Sequence, residues 1–490
     1  MVPVFLILIP LLSGLAGFFI KNSSNAKLWS LLASVITLLV SLTGLFLNKD
    51  NTHLSLNAEW LSSLNSRFSV GLDGMGQVLC FLTALGFPVI FIATWREDYK
   101  NAGNFHALML LSQAGLMGVF VASDALLFYF FWELALIPVY FLCSQWGGEK
   151  RIQATFKFFI YTFIGSLLML VGIIYIYFHT KEHSFSLASF QAVRSALTTQ
   201  EQSWLFWLFF VAFAIKMPIF PFHTWQPDLY EQSPAAATMV LSGIMVKMGL
   251  FGLIRWLAPV LPLGTWLWGD TASGLCVIGM IYASLLAMQQ DDLKRLVAYS
   301  SIAHIGLMGV AIFATTQSGM QGVMIQLFNH GINIIGLWVV VYLIERQFHT
   351  RKISELGGLA QGAPVLAILL VIVALANIAL PLTNAFIGEF LMFNGIYSSV
   401  ATQYNVVFTV AAAVCIILSA VYMLNLIQKV FYGDSNPLTL KARDIRPNEK
   451  FILALIVMLI LAAGIYPKPF FDLTKETVET ILSKMNYKLL

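Results

Sequence analysis

The run FAIKMPIFPFH, residues 213–223, decides how this chain is built. Lys216 stands two residues before Pro218 inside an otherwise apolar segment, and Pro221 and His223 follow. A proline within a membrane helix frees a backbone carbonyl, and the break is tolerated only where protein or water re-satisfies it. A second apolar segment is interrupted at NIALPLTNAF, residues 377–386, where Pro381 is flanked by Asn377, Thr383 and Asn384. Two such breaks in one chain ask what surrounds them.

Working outward, the chain is 59% hydrophobic and 11% charged, far from the balance of an ordinary soluble domain. Fourteen apolar stretches recur, centred near residues 11, 38, 85, 113, 134, 167, 210, 245, 280, 306, 332, 380, 418 and 459. Each is long enough to cross a bilayer core of roughly 30 Å. The expected fold is therefore an all-α integral membrane protein of fourteen transmembrane helices. The first stretch lacks a basic start and a small-residue cleavage site, so it reads as a retained helix.

The breaks fall in spans seven and twelve. Each is the fourth span of a five-span block, spans 4–8 and spans 9–13, and an odd number of spans inverts the second block relative to the first. Paired broken helices in inverted repeats are a transporter pattern, with the ion site at the breaks. The plainer reading is that the prolines only kink helices for packing. The expected divisions are 1–103 for three flanking helices, 104–257 and 271–432 for the repeats, and 450–490 for the last helix and tail.

Charge sets the orientation. With fourteen spans both termini share a side, and the loops opposite them carry sixteen Lys and Arg against nine on the terminal side, Lys49 and the tail lysine Lys488 among the nine. Positive residues stay inside, which places the termini outside, in the periplasm of a bacterium. The net charge of +4 reflects this bias, and no basic run is long enough to read as a nucleic-acid footprint. Cys80, Cys143, Cys276 and Cys415 lie singly in apolar segments and read as small buried hydrophobes. No spacing for haem, iron–sulfur, dinucleotide or P-loop binding is present, so no cofactor is expected on this chain.

Against that apolar background stand Glu133, Lys216, Lys247, His304, His330 and Glu389. A charge at mid-membrane costs roughly 3 kcal/mol on insertion scales, so such residues normally face a protein-lined or hydrated interior. Glu133 has aromatic neighbours and no acid or base within a helical turn, so its charge depends on whether a cation from another helix stands beside it. Lys216 is the natural partner, and movement of one relative to the other could load and release a proton. Lys247 is about eight residues, or roughly 12 Å, from either end of its span, beyond comfortable snorkelling reach. His304 and His330 occupy successive spans among Ser300, Ser301, Asn329 and Asn333. A neutral imidazole donates from one nitrogen and accepts at the other, which suits a relay, although a lone membrane histidine is more often a satisfied hydrogen-bonding residue. Glu389 follows the second break, and Lys157, near a helix start, reads as interfacial.

The runs FFWELALIPVYFL (130–142), AFAIKMPIFPFHTWQPDLYEQSP (212–234), LSGIMVKMGLFGLIR (241–255), QDDLKRLVAYSSIAHIG (290–306) and FNHGI (328–332) resemble the antiporter-like membrane subunits of respiratory complex I and related ion pumps. Glu389 in GEF, the length, and an end soon after span fourteen are most similar to the subunit M type. The resemblance implies a proton relay through Glu133, Lys216, Lys247, His304, His330 and Glu389. It also implies partners: the bilayer, other membrane subunits of a complex and two further antiporter-like subunits, with NADH, flavin, iron–sulfur clusters and quinone held elsewhere. A subunit of a multi-subunit sodium/proton antiporter or of a membrane-bound hydrogenase is the alternative. A free-standing permease fits worse, because its solute would need a wide polar cavity rather than a thin string of polar residues. The sequence departs from the family at the second break, where Leu380-Pro381-Leu382-Thr383 replaces a glycine-containing LPGT. The run from His223 to Glu231, also altered, is expected to form the turn between spans seven and eight.

Overall fold

The computed structural model describes residues 1–47 and 52–486 and is almost entirely helical. Lys49 and Lys488, counted for orientation, lie outside the described residues. Among those described, eleven helices are long and apolar enough to cross a membrane. They are α2 (Ser23–Phe46), α3 (Gly74–Ala93), α4 (Ala102–Val121), α5 (Ala125–Trp146), α6 (Arg151–His179), α9 (Ala235–Leu257), α10 (Pro262–Gln289), α11 (Leu293–Phe313), α12 (Gln317–Phe348), α15 (Asn405–Phe431) and α16 (Pro447–Ile465). The protein is a multi-pass membrane protein. Two apolar helices are shorter, α1 (Val2–Gly17) and α13 (Pro364–Asn377). α7 (Thr199–Lys216) opens on a polar turn with a Thr198–Glu201 capping box. α11 and α12 are buried on all sides at the centre, whereas α2, α6 and α15 turn apolar faces outward. All four cysteines are buried and free.

Both interruptions occur where the prolines stand. α7 ends at Lys216, and α8 (Trp225–Gln232) resumes after the break. The freed carbonyls are re-satisfied locally: Ile219 N donates to Ala214 O at 2.8 Å, and the indole Nε1 of Trp225 donates to Ile215 O at 2.9 Å. The expectation of a simple turn from His223 to Glu231 is thus corrected, since most of that run is helical. Trp225 is pinned by its bond to the broken helix, which lets α8 start there, and the turn itself is Ser233–Pro234. The second interruption separates α13 from α14 (Asn384–Tyr397). There Leu380 N donates to Leu375 O at 3.0 Å, and Asn333 of α12 donates to Ala376 O at 3.4 Å.

The missing glycine has a backbone consequence. Leu382, where the resemblance implies a glycine, has φ of 75°, and Ala379 has φ of 55°. A side chain in the left-handed region costs roughly 1–2 kcal/mol. Leu382 is 70% exposed, so its side chain returns little packing for that strain. Leu382→Gly is therefore expected to stabilise the break by about 1 kcal/mol, seen as a higher melting temperature of the solubilised protein. An unchanged or lower value contradicts the strain. The break is held from outside by Gly464 of α16, whose Cα position abuts Leu382 O and leaves no room for a Cβ.

Two elements carry no hydropathy signature. An antiparallel hairpin pairs β1 (Ser55–Leu61) with β2 (Ser66–Gly71), turning at Asn65 with φ of 50°. The expected tail instead forms an amphipathic helix, α17 (Lys468–Met485), that buries Val478, Ile481 and Met485. Thr477 of α17 accepts from Gly74 N at 3.0 Å, and Phe470 packs at a tilt against Phe328 of α12 with centroids 4.9 Å apart.

Candidate functional site

Lys247, His330, His304 and Glu389 meet in the interior of the bundle. α9 is not a plain α-helix: its backbone widens into π-helical turns at Leu241–Met245 and Leu253–Leu257, on either side of Lys247. Such bulges free carbonyls that an α-helix would consume. Val246 N donates to Leu241 O at 3.2 Å rather than to Ser242 O, and Ser242 O accepts from the Lys247 ammonium at 3.2 Å. The ammonium also lies 2.9 Å from His330 Nδ1. A fully buried lysine beside a neutral imidazole acceptor can hand over a proton along that bond.

His330 continues the line. Its Nε2 is 3.4 Å from Ser301 Oγ, and its ring centroid lies 5.9 Å from that of His304. His304 Nδ1 is 3.2 Å from Glu389 Oε1, and Glu389 is only 3% exposed. Gly388 makes room here, because a Cβ would collide with the side-chain oxygen of Gln326. Around the pair, Tyr422 OH and Asn377 Nδ2 both donate to Ser300 Oγ, at 2.9 and 3.1 Å. Asn329 Nδ2 donates to Asn384 O at 2.7 Å. The second break is thus wired to the histidine cluster by asparagines on both sides.

Lys216 and Glu133 form the other group, and they are not in direct contact. Lys216 Nζ and Glu133 Oε1 are both buried without a hydrogen-bond partner, and no ion pair joins them. Lys216 ends instead between the rings of Trp132 and Phe158, 5.6 and 5.5 Å from their centroids. Glu133 directly follows Trp132, one of those two rings, in sequence. Glu133 is also only half-buried, since it shares its helix face with the exposed Phe130, Ile137 and Phe141.

Between Lys216 and Lys247 in the sequence stand buried polar groups the sequence reading did not single out. The polar atoms of Gln226, the hydroxyl of Tyr230 and the hydroxyl of Ser242 are buried and lack partners. Buried polar groups are normally hydrogen-bonded, so several orphans together mark a place for ordered water. Of the candidates, Lys247 is hydrogen-bonded to His330 and His304 to Glu389, the two histidine rings stand 5.9 Å apart without a hydrogen bond between them, and Glu133 and Lys216 are not joined. Tyr230, Tyr422 and Gln326 were missed because each reads as an ordinary membrane residue until the fold points it inward.

Charged residues segregate to the ends of the bundle. Lys157 pairs with Asp228 at 2.8 Å, Arg295 with Glu231 at 2.9 Å, Arg351 with Asp292 at 2.8 Å and Lys294 with Glu345 at 2.8 Å. These bridges tie α8 to the starts of α6 and α11, and the start of α11 to the end of α12. Lys157 is accordingly a partly exposed member of this charged end.

With the geometry in place, the comparisons are specific. Residues 122–419 match the family described as NADH:quinone oxidoreductase/Mrp antiporter, transmembrane. NADH-quinone oxidoreductase subunit M of Rickettsia typhi is 36% identical, with 98% of each chain covered. The F(420)H(2) dehydrogenase subunit M of Methanosarcina mazei is 34% identical, over 98% of this chain and 97% of that one. Among solved structures, a chain of respiratory complex I from Thermus thermophilus superposes with a TM-score of 0.91 at 28% identity, covering 99% of this chain and all of that one. From the family match and these full-length relatives together, the chain belongs to the NADH:quinone oxidoreductase/Mrp antiporter transmembrane family.

Proposed function

We propose that this chain is a proton-translocating, subunit M-type component of an NADH:quinone oxidoreductase, complex I, in the cytoplasmic membrane with both termini in the periplasm. The carrying observation is the buried line Lys247–His330–His304–Glu389, which runs from a π-widened helix to a proline-broken one. No group on that line has redox chemistry of its own. Electron transfer from NADH to quinone belongs to partner subunits, and this chain answers with proton movement driven through its charged residues.

The fourteen-span reading treats α7 with α8, and α13 with α14, as single broken spans. Two inverted five-span repeats then place Lys216 at the first break and Glu389 at the second, with Lys247 and the histidines linking them. Two further antiporter-like subunits are the expected partners. The apolar face of α5 that carries Glu133 suits one of them, because covering it would bury the carboxylate.

The test is the assembled complex in inverted vesicles, with NADH:quinone turnover and proton uptake read together. The chain should co-migrate with NADH dehydrogenase activity while the isolated subunit carries no flavin, quinone or metal, and a bound redox group on it would sink the assignment. Lys157→Ala serves as a control, expected to lower turnover less than twofold, because a half-exposed ion pair is worth only about 0–1 kcal/mol. A second reading, a subunit of a complex with another electron donor or of a sodium/proton antiporter, is favoured by the Methanosarcina relative. Pumping that required sodium, or a complex inert to NADH, would select it.

A further inference from the structure

We infer that the charged end of the bundle beside α16 carries a binding site for an anionic phospholipid headgroup. A cavity of about 310 Å³ opens there, lined among others by Arg346, Arg443, Asp444, Arg446 and Glu449. Its acids are already engaged. Asp444 caps α13, accepting from Val365 N at 3.0 Å and Leu366 N at 3.2 Å. Glu449 accepts from Arg446 N at 2.8 Å and faces Arg346 Nη1 at 3.6 Å. Among the described residues, the guanidinium groups of Arg443 and Arg446 have no acidic partner, and both residues are exposed. The lining thus sets three arginines against two acids, a net positive charge, and presents two exposed guanidinium groups without an acidic partner, whose planar forks match phosphate oxygens.

The source of the phosphate follows from what lies beneath. Arg446 immediately precedes α16, and α16 turns Phe451, Met458, Leu461 and Ile465 outward. These positions recur at helical spacing and make an apolar track along the helix, starting about one turn below the cations. A headgroup held at the cavity would lay its acyl chains on that track. Basic clusters at the inner end of a membrane helix attract anionic lipid by about 1 kcal/mol per cation. The occupied site would also steady the loop whose Asp444 caps α13, the first half of the broken span.

The experiment uses the purified whole complex reconstituted in nanodiscs containing phosphatidylcholine with a small fraction of phosphatidylglycerol. Retained lipid is counted by native mass spectrometry for the parent complex and for Arg443→Gln/Arg446→Gln. The double variant is expected to bind the anionic lipid about thirtyfold more weakly, two cations at about 1 kcal/mol each. Phosphatidylcholine retention and assembly should not change, and millimolar inorganic phosphate should compete poorly, because it lacks the chains. Equal retention of phosphatidylglycerol by the double variant overturns the site. Full displacement by inorganic phosphate overturns the lipid as the source, and a crosslink from Arg443 to an acidic segment of a neighbouring subunit overturns it in favour of a protein partner.

Discussion

Lys247→Ala is expected to lower NADH:quinone turnover and proton uptake together by about tenfold or more in a complex that still assembles. The ammonium is the only donor that the structure places on His330 Nδ1, at 2.9 Å, so truncation leaves a buried imidazole nitrogen unpaired and cuts the line at its centre. Tight coupling makes the electron flow fall with the pumping rather than run free. Leaving a buried polar group unsatisfied costs about 1–3 kcal/mol, so native gels must separate lost assembly from lost conduction. Lys247→Arg keeps the charge and should retain more activity than alanine. An assembled Lys247→Ala complex that pumps normally would reduce Lys247 to a packing residue.

Glu133→Gln should be nearly as severe, for a different reason. Here the geometry shows no bond to lose, since the carboxylate and Lys216 stand apart. What disappears is the carboxylate that the proposed switch sets against Lys216, leaving that ammonium between Trp132 and Phe158 with only cation–π support, worth about 2 kcal/mol when desolvated. Turnover and proton uptake should both fall about tenfold, with Glu133→Asp intermediate. If Glu133→Gln pumped at the parent rate, the glutamate would be a neutral hydrogen-bonding group and the switch between it and Lys216 would be gone.

Much of this was legible in the sequence, and the reasons are physical. Proline inside an apolar run has few outcomes, so both breaks fall where Pro218 and Pro381 predict. Buried charges are costly enough that Lys247, His330 and Glu389 had to find protein surroundings, and they did. The missed elements share another trait. The hairpin at residues 55–71 and the amphipathic helix at Lys468–Met485 lie outside the apolar stretches, where hydropathy carries no signal. The π-helical turns beside Lys247 arise from packing rather than from any residue that announces them. Glu133 and Lys216 make no direct ion pair: charge complementarity in the sequence argues for a bond or a single bridging water, and the ammonium ends against the rings of Trp132 and Phe158. The strain at Leu382 shows the reverse case, in which a missing glycine was noticed and its backbone cost followed.

The account stands on one claim, that Glu133, Lys216, Lys247, the histidines and Glu389 are a single path in which water completes the gaps. The direct measurement is an experimental map of the assembled complex fine enough to resolve ordered water around Lys216. The account predicts waters bridging Lys216 Nζ to Glu133 on one side, and through Gln226, Tyr230 and Ser242 to Lys247 on the other. A dry apolar gap at both places, with Lys216 packed only against Trp132 and Phe158, would contradict it.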